Sequence, residues 1–213
     1  MATGFASRGD MAEKAVSFTE IGAGLYAFTA EGDPNSGVIV GDDAVMVIEA
    51  QATPMLAQSV IAKVREVTDK PITHLALTHY HAVRVLGASA YGAREIIMSD
   101  VARAMVAERG AEDWASEFER FPRLFRGHEA IPGLTWPTTT FSDRMSVYLG
   151  SRRVDLMRLG RAHTAGDIVI HVPDANVMFT GDIVEYRSAC YCGDGHFGDW
   201  GQTLDNIKSY DVD

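Results

Sequence analysis

Residues 78–87 read T-H-Y-H-A-V-R-V-L-G, placing His79 and His81 two apart, directly after the apolar run 72–77. In extended backbone, side chains at i and i+2 project to the same side. Imidazole is a common ligand for zinc and iron, and two on one side make half of a tetrahedral site. Alone the pair is a weak signal, but two later segments strengthen it. His163 lies in G-R-A-H-T-A-G-D, residues 160–167, after the strand-like run 154–159, and Asp182 closes F-T-G-D, residues 179–182. Three imidazoles and one carboxylate, each at the end of an apolar segment, make a sensible N₃O donor set.

The other chemistry-bearing residues have plainer readings. Asp167 reads as structural or as support for a ligand. His74 has the opposite strand parity to His79 and His81 and reads as satisfied or exposed. His171 reads as structural, and His128 is a loop residue at a pocket's edge at most. Cys190 and Cys192, the only cysteines, are two apart and badly placed to bridge. They read as inert thiols, with metal ligation the minority alternative. Trp114, Trp136 and Trp200 read as core or loop anchors.

Positioning these residues calls for strands at both ends of the chain and helices between. Residues 1–14 read as a flexible tail, and 15–213 as a single domain. Strand signals cover 16–20, 25–29, 37–40 and 44–48, the last two flanking Gly41-Asp42-Asp43, a hairpin turn. The run 44–48 is nearly all apolar, which suits a strand covered on both faces. Thr53 is a candidate N-cap with Pro54 at the first helical position, and Leu56, Val60, Val64 and Val67 predict one apolar stripe. A strand over 72–77, a short helix over 89–93 and a strand over 95–98 follow. Helix is predicted over 99–109 and 112–118 with Gly110 as a break, and loop over most of 126–140. The second half predicts hairpins 145–149/154–159 and 168–172/176–179, and a helix starting within 201–209. A layered αβ sandwich fits this order better than an alternating parallel sheet.

Composition narrows the function. The chain has 213 residues, with 19 basic and 29 acidic side chains for a net charge of −10. That balance argues against a nucleic-acid binder, which carries a basic face. No apolar stretch approaches the roughly 18 residues that span a membrane, and the first residues lack the apolar core of a secretory signal. The expectation is a cytoplasmic protein acting on a small molecule.

The motifs T-H-Y-H, G-R-A-H-T-A-G-D and F-T-G-D, preceded by N-S-G-V-I-V-G-D-D-A-V-M-V-I-E-A, resemble the metallo-β-lactamase superfamily in order and spacing over roughly residues 16–200. The resemblance implies an α+β, four-layer αβ/βα sandwich with metal at one edge of the two sheets. It implies His79, His81 and His163 as ligands of the first metal, with Asp182 as a further, bridging-type ligand. The sequence also departs from the pattern. The family motif continues H-x-H-x-D-H, whereas Val83 and Arg84 stand at the last two positions, which serve a second metal. Glu49 stands where an aspartate is usual, and no later histidine matches the family's last ligand, His196 coming too early. Arg84 also repels a second ion: a unit charge about 4 Å from a divalent cation costs roughly 8 kcal/mol at an effective dielectric near 20.

The expectation is a mononuclear hydrolase with one Zn²⁺, in which a water acidified by the metal attacks an ester, thioester or amide-type carbonyl. Arg84 would stabilise the oxyanion, and Asp182 would assist proton transfer, since Val83 accepts no proton. A second reading is Fe²⁺ held by His79, His163 and Asp182, as in the sulfur dioxygenases that share this resemblance. A third is a non-catalytic relative. Family members usually continue with another strand and helix, so a truncated second half is expected, its open sheet edge covered in a homodimer.

Overall fold

Alternation along the central strands decides the layering. The structure, a computed structural model, describes residues 5–186, 188–210 and 212. Strands β1 (Val16–Gly22), β2 (Leu25–Ala30), β3 (Ser36–Val40) and β4 (Val45–Ile48) form an antiparallel meander. β5 (Ile72–Ala76), β6 (Glu95–Ser99) and β7 (Thr139–Phe141) extend it in parallel, giving seven strands in chain order. β8 (Arg144–Leu149), β9 (Arg152–Met157), β10 (Val169–Val172) and β11 (Val177–Phe179) make a second, antiparallel sheet.

In β4, Met46 and Ile48 turn inward to join Leu149, Leu156 and Ile170 between the sheets. Val45 and Val47 turn outward, to a core shared with Val60 and Val64 of α1 (Pro54–Val67) and Met105 of α3 (Asp100–Arg120). On the far side, Met157 and Val169 of the second sheet meet Ile207 of α4 (Phe197–Lys208). In the central strands the period-2 pattern thus buries both faces. The result is the α+β, four-layer αβ/βα sandwich that the resemblance implies.

Local chemistry accounts for most boundaries. Thr53 caps α1, its Oγ1 accepting the Leu56 N–H at 3.2 Å, with Pro54 at the first helical position. The buried stripe is Ala57, Val60 and Val64, while Val67 at the last turn is exposed. The three predicted turns each join an antiparallel pair. Three expectations need correction. Gly110 does not break the third helix, which runs unbroken through it. The face that Gly110 presents packs toward Leu134, and burial of Met105 and Val106 outweighs the roughly 1 kcal/mol that a helical glycine costs. The stretch read as 89–93 helix is a single 3₁₀ turn, Ala88–Tyr91, and α4 begins earlier than expected, at Phe197. Among the described tail residues, Ser7 Oγ donates to the Arg120 carbonyl at 2.6 Å, and Arg123 Nε donates to the Asp10 carbonyl at 3.2 Å. Among the described residues no helix is long and apolar enough to cross a membrane.

Candidate metal centre

The loops at one end of the sheets bring the predicted histidines together. His79 and His81 follow β5, and His81 is the N-cap residue of the short helix α2 (Ala82–Val85). His163 lies in the loop between β9 and β10, tied to the first by Ile168 N–H donating to Thr78 O at 3.0 Å. Asp182 sits in a 3₁₀ turn after β11. Its neighbour Gly181 has φ +55, and a Cβ there would lie 2.5 Å from Thr78 Oγ1. Only glycine lets the F-T-G-D segment approach the H-x-H segment so closely.

One ring nitrogen from each of His79, His81 and His163 lies within 4.8 Å of the others, and all three residues are buried. The three ring centroids are mutually 4.8 Å apart at near-perpendicular angles. His163 Nε2 and His81 Nδ1 face each other at 3.0 Å. His79 Nε2 is buried with no hydrogen-bond partner among the described residues, while Thr78 Oγ1 bonds its Nδ1 at 2.8 Å. A buried nitrogen left without a partner is costly, and its convergence with two more lone-pair donors fits a metal ion. Burial first, then repulsion from His163 and His81, holds His79 well below the usual imidazole range. Burial first, then His81, lowers His163 to about 4. Both rings are therefore kept neutral, the form that ligates.

His81 is held differently. Burial opposes its charged form, but the Asp194 hydrogen bond and the carboxylates of Asp113 and Glu117 raise its pKa overall. Asp194 accepts from Tyr80 Oη, lies 3.0 Å from His81 Nε2 and pairs with Arg109 Nη1 at 2.8 Å. The His81 hydrogen bond, opposed by burial and aided by Tyr80 and Arg109, holds its carboxyl far below the usual range. One carboxylate thus orients a candidate ligand from behind. Asp113 Oδ2 accepts the Ala82 N–H at 2.7 Å, fixing the first turn of α2. Sequence reasoning missed Asp194, Tyr80, Arg109 and Asp113. The only available signal was the spacing of Arg109, Asp113 and Glu117 on one helical face, a pattern that reads equally as a solvated side.

Arg84 points inward. Its Nη2 contacts both Asp182 oxygens, at 2.6 and 2.8 Å, and its side chain is only 15% exposed. Burial disfavours its charge, but Asp182 and Glu49 outweigh that and raise its pKa. Asp182 Oδ2 lies 3.6 Å from His79 Nε2 and 3.7 Å from His163 Nε2, so it faces the cluster while paired to Arg84. Glu49 Oε1 accepts the Thr78 N–H at 2.7 Å; burial, against Arg84 and Thr78, raises its pKa to about 7. Val83 packs against the outer core.

The turn behind Arg84 is strained. Glu49 and Gln51 have φ of 65° and 67°, a region sparsely used by residues other than glycine. Gln51 Nε2 donates to Pro34 O at 3.0 Å and to Ser36 Oγ at 2.8 Å, and Ala50 N–H donates to Arg84 O at 2.6 Å.

The remaining candidates lie apart or serve the scaffold. Asp167 accepts the Thr164 N–H and hydroxyl, closing the His163 loop. His74 bonds Thr73, His171 stacks edge-on with Tyr210, and His128 packs against Phe118. Cys190 and Cys192 are free thiols outside the histidine group. His196 opens α4, its N–H donating to Ala162 O at 2.7 Å.

The family model described as Metallo-beta-lactamase superfamily matches residues 29–213. This chain belongs to the metallo-beta-lactamase superfamily, with one complete triad of candidate metal-binding histidines. Among curated proteins it is similar to a "Metallo-beta-lactamase type 2" of Bacillus sp. (strain 170), 22% identical over 191 residues, covering 87% of this chain and 66% of that protein. It is also similar to a protein of the same description from Bacillus cereus, 21% identical over 187 residues, covering 86% and 65%. The chain thus spans just under two thirds of the length of these relatives. Among solved structures, a metallo-beta-lactamase from Pontibacter korlensis has the same fold, with a TM-score of 0.72 at 15% identity, covering 92% of this chain and 86% of the other.

Proposed function

We propose that this chain is a metal-dependent hydrolase with one ion, opening an ester, thioester or amide-type bond in a small molecule. The observation that carries the reading is the convergence of three buried imidazole nitrogens within 4.8 Å, beside a guanidinium already paired to Asp182. His79, His81 and His163 would hold the ion. Zn²⁺ is the ion proposed, with Fe²⁺ the alternative. When bound, such an ion supplies Lewis acidity and brings the pKa of water toward neutrality.

The chain's own residues do the rest. Asp182 would be a fourth, weaker ligand and would take the proton, a role Val83 cannot fill. Arg84 fixes Asp182 and presents fixed positive charge where a carbonyl oxygen gains negative charge. Asp194 and Thr78 hold the His81 and His79 rings in orientation. The net charge of −10 argues against a nucleic-acid substrate. We also propose the cytoplasm as the compartment, on two cysteines that remain free thiols.

One observation favours a second reading, iron and oxygen chemistry. Asp182 Oδ2 is nearly equidistant from His79 and His163 Nε2, the disposition of a two-histidine, one-carboxylate set. Elemental analysis of purified protein separates the two. One equivalent of zinc with ester or thioester turnover, both lost in His163→Ala, supports hydrolysis. One equivalent of iron with oxygen uptake supports the second reading, and metal without turnover of either kind rejects both.

A further inference from the structure

The first sheet ends in an exposed strand. Among the described residues the two sheets leave four edges: β1 and β7 on the first, β8 and β11 on the second. β7 and β11 are three residues each, and β8 opens on the charge of Arg144. β1 is seven residues, V-S-F-T-E-I-G, of which five are exposed and two half-buried. Its free row of N–H and C=O groups is a template for pairing, and native edges are blunted against this by brevity, lysine or proline. β1 carries neither lysine nor proline. Its one charge, Glu20, is turned to its own hairpin, Oε1 accepting the Gly24 N–H at 3.0 Å. Val16 and Ile21 are 46% and 43% exposed. The N-terminal tail is tied elsewhere, to Arg120, Arg123 and Arg126.

The strand is also complementary to itself. Residues 16–20 pair with β2 in unbroken register, and an irregularity between Glu20 and Gly22 ends that stretch. Two such stretches running antiparallel overlap fully when Phe18 lies on the two-fold axis. Val16 then faces the partner's Glu20 and Ser17 faces the partner's Thr19, so no like charges are opposed. Phe18 meets the partner's Phe18. Within one chain Phe18 already stacks on Tyr26, with centroids 4.9 Å apart and planes 10° from parallel. Pairing would carry that stack across the axis, and aromatic neighbours on adjacent strands are favourable sheet contacts. On the other face Ser17 Oγ and Thr29 Oγ1 share a hydrogen bond at 2.6 Å, a row that the partner's Thr19 would lengthen. We propose that β1 is the contact between two copies of this chain, paired antiparallel about Phe18 into one continuous sheet. The same strand serves both copies, so the contact closes as a dimer. It is independent of the chemistry at the histidines.

Sedimentation velocity tests the assembly, and a charge swap tests the register. Wild-type protein at about 50 µM should sediment with twice the mass of one chain. Ser17→Lys with Thr19→Lys, both at exposed positions, sets lysine opposite lysine at two pairs and should weaken association about tenfold or more. Ser17→Lys with Thr19→Glu sets lysine opposite glutamate in this register and should bring association back to within about threefold of wild type. Circular dichroism checks that each variant folds. Hydrogen exchange of the wild type needs no variant: amides within residues 16–20 should exchange more slowly at about 50 µM than after hundredfold dilution. A monomeric wild type overturns the proposal, as does exchange in β1 that dilution leaves unchanged. A dimer that the double lysine leaves intact places the contact on another surface and overturns it too. A folded lysine–glutamate variant that stays monomeric does the same by rejecting the register.

Discussion

At the scale of single residues, the carboxylate of Asp194 is the most informative position outside the histidines. It gathers Tyr80, His81 and Arg109 onto one group. Asp194→Asn keeps the shape and removes the charge. It should weaken metal affinity by about 10- to 100-fold in competition with a chromophoric chelator, the usual effect of losing such a partner. Arg84→Met keeps bulk and removes the guanidinium, leaving Asp182 without its ion-pair partner. Metal-free protein should then lose about 3 kcal/mol in urea unfolding, because the partner of a largely buried pair is stranded. The histidines were legible because His79 and His81 must share a side and His163 and Asp182 follow apolar runs, a weak signal that the order and spacing of the family motifs strengthened. Asp194 was not legible. It lies 113 residues from His81 in the chain, and no local pattern marks the contact.

At the scale of elements, the segment from β5 to α2 owes its shape to neighbours that press against it. Gly87 has no room for a side chain, since a Cβ would lie 2.2 Å from the Ala50 carbonyl oxygen and 2.8 Å from that of Thr53. Gly87→Ala should therefore destabilise the protein by up to about 3 kcal/mol in denaturant unfolding, as overpacking against backbone does. Strands and hairpins were legible from alternation and from turns such as Gly41-Asp42-Asp43. The unbroken α3 was not, because a glycine's penalty is local while the burial that overrides it comes from residues such as Leu134, outside the helix. The charged residues along α3 were equally opaque. A row at four-residue spacing looks solvent-facing until the fold sets Asp113 against Ala82 and Arg109 against Asp194.

At the scale of the whole molecule, the order of elements made a layered sandwich legible, one strand, 44–48, was apolar on both faces, and the four-layer form came from the resemblance of the motifs. Burial leaves a titration signature. Burial, opposed by Arg120, raises Glu117 from 4.5 to about 7. A carboxyl whose folded pKa is raised contributes stability in full below its unfolded value and loses it as pH rises through the folded one. The contribution of Glu117 to stability should therefore be lost between about pH 4.5 and 7, the window set by that shift. Glu117→Gln, which does not titrate, should flatten this part of the profile in urea midpoints measured across the range. The strained turn at Glu49 and Gln51 bears on how the fold could change over evolutionary time. Its amides are bonded to the strand ahead of it and to the backbone of Arg84, so that arginine is a fixture of the frame and not a swinging arm. A descendant that bound metal where Arg84 now lies would have to exchange Val83 for a ligand and Arg84 for a neutral residue together. Either change alone leaves an unopposed charge or an unfilled coordination position, so no single-step path leads there.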